Sequence, residues 1–246
     1  MAFNSLTTRM PQGLTNADAT ETFGCAGIPD PTWAYLDSDD FSNYITTNYT
    51  TTLVGTGTVA ETDYDGGAIL LTTTTGATDA VYLQRRAAQV KPLAGKDVFF
   101  KFAGQLSDVT NSQFFCGLIT TSTTPLSAAD GLFIKKAAGA ATLSLVSVIG
   151  GVTTTTAFPT VEVLVAATRF ELGFHVDSQG NVEAFFNPGT GSVVQNPAAG
   201  DARGRVVAVY APSLTQVLLC PSFGILNGAA AAKTLTADYI VTARNR

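Results

Sequence analysis

The chain has 246 residues, 46% of them hydrophobic and only 13% charged, about half the roughly one quarter usual for soluble domains. Its net charge is −5, and its basic residues stand as isolated pairs (Arg85-Arg86, Lys135-Lys136, Arg244 with Arg246). The electrostatic footprint of a nucleic-acid binder is therefore missing. Cys25, Cys116 and Cys220 form no CxxC motif and His175 is the only histidine, which argues against a disulfide framework and a zinc site and suits assembly in a reducing cytoplasm.

The beginning of the chain, Met1 to Met10, has no apolar signal-peptide core, and no stretch reaches transmembrane length. Residues 1–38 carry Pro11, Gly13, Gly24, Gly27, Pro29 and Pro31 without sustained periodicity, which predicts an extended N-terminal arm. The arm keeps Phe3, Leu6, Leu14, Phe23, Ile28 and Trp33. Disordered tails rarely hold so many apolar side chains, so these six are the expected contacts with a partner or with the chain's own domain.

Residues 39–246 read as one β-sandwich domain. Short strands are predicted at Ile45–Val54, Ala68–Thr72, Ala80–Leu83, Val98–Phe102, Phe114–Thr120, Leu132–Lys135, Leu143–Val148, Val152–Thr156, Val161–Val165, Phe170–Val176, Val182–Phe186, Val206–Tyr210, Val217–Leu226 and Leu235–Val241. The clearest pair is Phe170–Val176 and Val182–Phe186. Phe170, Leu172, Phe174 and Val176 alternate with polar or small residues, and Asp177-Ser-Gln-Gly-Asn181 supplies turn chemistry for a hairpin. In Val98–Phe102 the even positions, and in Leu235–Val241 the odd positions, are expected to point inward. Only Leu126–Asp130 and Ala229–Lys233 suggest single helical turns. Many short strands with turn signals, no repeat and almost no helix predict an all-β antiparallel sandwich. Threonine runs at 50–52, 72–75 and 153–156 supply polar surface where charge is scarce, and such a surface loses little solvation when it meets protein.

Chemistry-bearing sets are sparse. His175 lies mid-strand, out of phase with the core residues, with no nucleophile motif beside it. Glu171 and Glu183 fall on neighbouring strands and could face each other, but the strand-borne E-x-D-x-x-E pattern of laminarinase-like glycosidases is absent. Asp37-Ser-Asp39-Asp40 and Asp63-Tyr-Asp65 offer hard oxygen ligands without a complete calcium loop, and read as turns capped by their own carboxylates. The sequon Asn48-Tyr-Thr50 is treated as chance. No catalytic, cofactor or metal residue is assigned, and the chain is expected not to be an enzyme.

Three groups of motifs stand out together. They are Asp30-Pro-Thr-Trp33 with Asp39-Asp-Phe-Ser-Asn-Tyr44, Tyr49-Thr-Thr-Thr52 and Asp65-Gly-Gly-Ala-Ile-Leu-Leu-Thr72; Arg169 to Val182; and Ala229 to Thr242. Spaced in this way across residues 28–246, they resemble structural proteins of tailed bacteriophages that carry a concanavalin-like or laminin-G-like jelly roll. The resemblance implies a capsid decoration or cement protein (a minor head protein) bound to major capsid protein on the virion exterior. It would be made in the host cytoplasm without a signal peptide and released by lysis. It also keeps an alternative alive, a carbohydrate-binding module of a head fibre or tail, with weak glycan binding on an outer face. Self-association is expected, a trimer before a dimer, and neither nucleic acid nor membrane is an expected partner.

Overall fold

The computed structural model describes residues 34–159, 163–187, 205–210 and 214–245. The strands are β1 Ala34–Asp39, β2 Tyr49–Val54, β3 Thr58–Thr62, β4 Ala68–Thr72, β5 Ala80–Arg85, β6 Val98–Leu106, β7 Ser112–Ile119, β8 Gly131–Lys136, β9 Leu143–Ile149, β10 Val152–Ala157, β11 Arg169–Val176, β12 Val182–Asn187, β13 Arg205–Tyr210, β14 Cys220–Asn227 and β15 Thr234–Asn245. They form two antiparallel sheets. One runs β13-β12-β11-β6-β15-β4-β3, with β1 also on β15, and the other runs β10-β9-β8-β7-β14-β5-β2. The expected all-β sandwich is the observed fold.

Alternation built the core as the sequence implied. Val98, Phe100 and Phe102 of β6, and Phe170, Leu172, Phe174 and Val176 of β11, are buried between the sheets. Phe102 meets Phe223 of β14 at 5.2 Å and Phe114 of β7 at 5.6 Å between ring centres. Phe114 also meets Phe170 edge-on at 5.4 Å. These tilted and T-shaped contacts suit the ring quadrupoles and fix how the sheets face each other. The predicted hairpin is present: Asp177 Oδ1 accepts the N–H groups of Gln179 and Asn181, and Gly180 takes φ +86.

Several expectations need correction. Residues 34–38, assigned to the arm, belong to β1, which pairs along β15 from Ala34↔Asn245 to Asp39↔Ile240. Polar inner positions hid this strand: Asp37 and Asp39 hold Arg85 of β5 instead of packing as hydrophobes. Phe3, Leu6, Leu14, Phe23, Ile28 and Trp33 lie outside the described residues. β3 was missed because it is an edge strand in which only Val59 packs on the core. In β15 the odd-inward phase holds through Ala237. A bulge between Ala237 and Tyr239 then shifts it, so Ile240 and not Tyr239 is buried. Ile45 precedes a 3-10 turn at Thr46–Asn48, and Val217 and Leu218 precede β14. Of 161–165, Val163 makes only an isolated bridge to Thr142 and residues 164–165 form no strand. A 3-10 turn occupies Pro125–Ser127, while Ala229–Lys233 bends without a helical turn.

Two polar groups within the sandwich carry energetic consequences. Arg85 reaches from β5 to β1, donating from Nη2 to Asp37 at 2.7 Å, from Nε to Asp37 at 3.0 Å and from Nη1 to Asp39 at 3.1 Å. Its guanidinium lies 4.9 Å from the centre of the buried Tyr49 ring, whose hydroxyl donates to Asp39 at 2.8 Å. This clasp ties the two sheets along one flank. Lys136, the second member of the Lys135-Lys136 pair, has an inward phase in β8 and is fully buried. Its ammonium donates to the carbonyls of Ser112 and Ala137. Burial pulls its pKa down to about 8, against the smaller pull of Asp108.

Arg85→Ala leaves two carboxylates without their shared cation, so it is expected to lower unfolding stability by about 3 kcal/mol in urea titration. A loss below about 1 kcal/mol contradicts the clasp. For Lys136, the folded pKa lies below the unfolded value. The burial cost is therefore complete below pH 8 and fades as pH rises toward about 10.5. Between pH 8 and 9.5 the unfolding free energy should rise by roughly 1 kcal/mol per pH unit relative to Lys136→Met. That window stays below the range where Tyr82 and Tyr239, pushed by burial to about 12, act in the opposite direction. Parallel pH curves for the two proteins contradict the assignment.

Candidate functional site: the outer face of the seven-stranded sheet

On this sheet, residues that do not face the core form a second apolar layer of Ala80, Tyr82, Phe115, Ile119, Ala128, Phe133, Val146 and Val148. Glycine makes the layer flat enough to cover. Gly224 lies opposite Tyr82, and a Cβ there would sit 2.4 Å from the Tyr82 ring. Gly117 lies opposite Phe133, where a Cβ would sit 2.4 Å from the Phe133 backbone. Each aromatic residue thus leans over a strand that has no side chain at that point. The rings connect in a row, Tyr82–Phe115 at 5.8 Å and Phe115–Phe133 at 5.9 Å.

The loop from Thr120 to Asp130 folds across half of this face. Its base closes where Thr120 N–H donates to the Asp130 carbonyl at 2.9 Å. Ser122 N–H donates to Gln84 Oε1 at 3.1 Å, and Thr121 Oγ1 lies 3.8 Å from Cys220 Sγ. Gln84, Ser222 and Cys220 are fully buried beneath it. Cys220 is a small, fully buried residue, as is Cys116 in the core, where burial pushes the thiol pKa well above its ordinary value.

The uncovered half is a cleft of about 460 Å³ over β8, β9 and β10, flanked by Leu126–Ala128. Phe133, Val146 and Val148 form its floor, and Lys135, Ser144, Thr153 and Thr155 bring one ammonium and three hydroxyls. Among the described residues, the strands of this sheet turn no Asp or Glu to the outer face. The cleft can hold a neutral or anionic polar surface. Among the described residues that line it there is no carboxylate pair of the kind that breaks a glycosidic bond, which needs an acid and a second carboxylate across the sugar. Sequence reading missed this site because Thr, Ser and one Lys on alternating positions resemble any solvated sheet face.

The residues that sequence reading weighed lie elsewhere. Glu171 and Glu183 do not face each other: Glu171 pairs with Asn187, and His175 with Glu183. Four residues separate the two acids along β11 and β12. Burial raises the Glu171 carboxyl, but Lys101 at 3.1 Å and Arg169 at 2.8 Å outweigh it and hold its pKa below the ordinary value. Arg169 also bonds Asp238 at 2.7 Å. His175 stacks on Phe99 at 4.3 Å with rings 2° from parallel, with Asp97 at 3.8 Å and Glu183 at 3.6 Å. Among the described residues that contact His175 (Phe99, Asp97 and Glu183), none is a serine, threonine or cysteine nucleophile.

Asp39 and Asp40 cap their own turn through the N–H groups of Phe41 and Ser42, as expected. Asp37 and Asp39 are committed to Arg85. Asp63 and Asp65 are exposed in the β3–β4 turn. Among the described residues, no cluster of three or more His, Cys, Asp or Glu could hold a metal ion. The central Tyr49 of the sequon is a buried core residue.

No protein-family model matches the sequence, and no curated protein matches it. Solved structures do match in fold. A protein of unknown function from Shewanella oneidensis MR-1 is 14% identical, over 87% of each chain, at a TM-score of 0.54. An endo-1,3-beta-glucanase from Streptomyces sioyaensis is 12% identical, over 88% of this chain and 98% of its own, at 0.56. Arcelin-5, a lectin-like defense protein from Phaseolus vulgaris, is 8% identical, over 86% and 99%, at 0.56. At these identities the likeness is one of fold, and the chain is a β-sandwich of the concanavalin-like, lectin-like kind.

Proposed function

We propose that this chain is a virion structural protein, a decoration or cement protein that coats the outer surface of a bacteriophage head and works by binding, not by catalysis. The observation that supports it most is the make-up of both edges of the seven-stranded sheet. β10 (Val-Thr-Thr-Thr-Thr-Ala) and β2 (Tyr-Thr-Thr-Thr-Leu-Val) are uncharged. Val152 is 72% exposed, and Leu53 and Val54 are 45% and 44% exposed. Hydroxyls and small apolar groups lose less solvation than Lys or Glu when they meet another protein. Held against major capsid protein, such edges stabilise the assembled shell by mass action, because they bind it and not its dissociated subunits. Phe3, Leu6, Leu14, Phe23, Ile28 and Trp33 are the proposed anchors of the N-terminal segment on that surface. The absence of Asp and Glu from the described residues that line the cleft supports the non-catalytic half of the proposal.

A second reading, a carbohydrate-binding module of a head fibre or tail, is favoured by the cleft itself. Lys135, Ser144, Thr153 and Thr155 above an apolar floor suit a polyhydroxylated ligand.

Purified protein added to heads lacking their own copy is expected to coat the whole shell and raise its disruption temperature. No binding, or binding confined to one vertex, contradicts the decoration reading. Under the second reading, calorimetric titration with host-surface oligosaccharides gives saturable heats that Lys135→Ala and Ser144→Ala reduce. Unchanged heats in both variants contradict a site in this cleft. EDTA should leave the melting temperature unchanged, since Asp37 and Asp39 are held by Arg85. A large drop reversed by calcium contradicts that expectation.

A further inference from the structure

β10 ends the seven-stranded sheet. It pairs with β9 from Val152↔Ile149 to Ala157↔Ser144 and with no other strand among the described residues. Val152, Thr153, Thr154 and Thr155 are exposed. The strand has no charge, no proline and no register shift, and so lacks the usual devices that keep a free edge from pairing with another strand.

The direction of its backbone groups follows from one bond. Phe158 N–H donates to the Leu143 carbonyl at 2.9 Å, continuing the β9–β10 register. In an antiparallel pair, alternate residues turn both backbone groups toward the partner. Thr154 and Thr156 therefore face β9, and Thr153 and Thr155 turn their N–H and C=O groups to the open edge. Thr153 and Thr155 lie opposite Val148 and Val146, so their side chains are on the cleft face.

We infer that β10 pairs with β10 of a second copy of this chain, about a two-fold axis perpendicular to the sheet and passing beside Thr154. Continuing the sheet requires the outer face to stay outward in both copies, so only residues of the same parity can stand opposite. The register that uses Thr153 and Thr155 places Thr153 opposite Thr155 of the other copy and Thr154 opposite Thr154. Each copy then donates and accepts through both residues. The occupant is a second copy because the edge is self-complementary: no charge opposes its own image, and threonine faces threonine, a favourable cross-strand pair. The clefts of the two copies, each lined by Thr153 and Thr155, then adjoin across the axis. A two-fold pair replaces the trimer expected from the sequence, and it does not depend on what the clefts bind.

The test is sedimentation of the full chain and two Thr155 variants, with disulfide trapping at Thr154→Cys and, for comparison, Thr155→Cys. Wild type is expected to be a dimer at micromolar concentration. Thr155→Pro removes an outward donor without removing a β9 bond, which edge strands tolerate. It should weaken the dimer by roughly 30-fold and melt at the wild-type temperature at concentrations low enough for both proteins to be monomeric. Thr155→Lys keeps the donor, places a charge at the edge of each copy and should also give monomer, which covers the case of a misfolded proline variant. In a Cys25→Ser background, Thr154→Cys should form an interchain disulfide on mild oxidation. Residues opposite in a non-hydrogen-bonded pair have Cα atoms about 4.5 Å apart, within disulfide reach. A monomeric wild type, a dimer untouched by either Thr155 substitution, or a crosslink at Thr155→Cys in place of Thr154→Cys overturns the inference.

Discussion

Phe102 touches Phe223 and Phe114 of the opposite sheet and Phe170 of its own, with ring centres 5.2, 5.6 and 6.3 Å away. This ring cluster is the constraint on which the rest of the sandwich depends. With rings locked in tilted geometries, the sheets cannot slide without breaking several contacts at once, so each strand's inner face is fixed and its outer face follows by alternation. The outer placement of Tyr82, Phe115 and Phe133 follows from that, and so does the cleft beside them. Arg85 closes one flank and Lys136 is held within the core. Both are polar groups stabilised by specific partners in a protein that otherwise uses few charges.

The two outer faces differ in chemistry. On the eight-stranded sheet, Lys101, Arg169, Glu171 and Asp238 neutralise one another around Tyr239, with the ammonium of Lys101 and the guanidinium of Arg169 5.6 and 5.7 Å from the ring centre. Their charges are spent on each other. On the seven-stranded sheet the strands offer hydroxyls, apolar carbon and one ammonium, with room left above them. A face of that kind suits contact with another surface better than acid–base work, which needs a proton donor and acceptor on either side of a bond.

Much of this fold was legible in the sequence because burial on one side of a strand imposes a period of two. The β11–β12 hairpin was readable from its phenylalanines and from Asp177, whose carboxylate does cap the turn. β1 was not, since its inward residues are aspartates whose partner, Arg85, lies 48 positions away from Asp37. The phase change in β15 was hidden as well, because a bulge at Asp238 depends on neighbouring strands and leaves no local signature. The burial of Lys136 could not be read from the sequence, because nothing in a Lys-Lys pair tells which ammonium finds two carbonyls in the core. The cleft was the least legible feature: it depends on where the Thr120–Asp130 loop stops covering the sheet, and on Gly117 and Gly224 letting rings lie flat.

The central claim is that the seven-stranded sheet, through its outer face and uncharged edges, is the surface by which this protein acts. Hydroxyl-radical footprinting of free and head-bound protein, read by mass spectrometry, tests it most directly. Oxidation of the exposed Leu53 and Val54 on β2 should fall markedly on binding, while His175 and Phe185 on the other sheet keep their free-state rates. Unchanged oxidation at Leu53 and Val54, with protection at His175 and Phe185, would contradict the account.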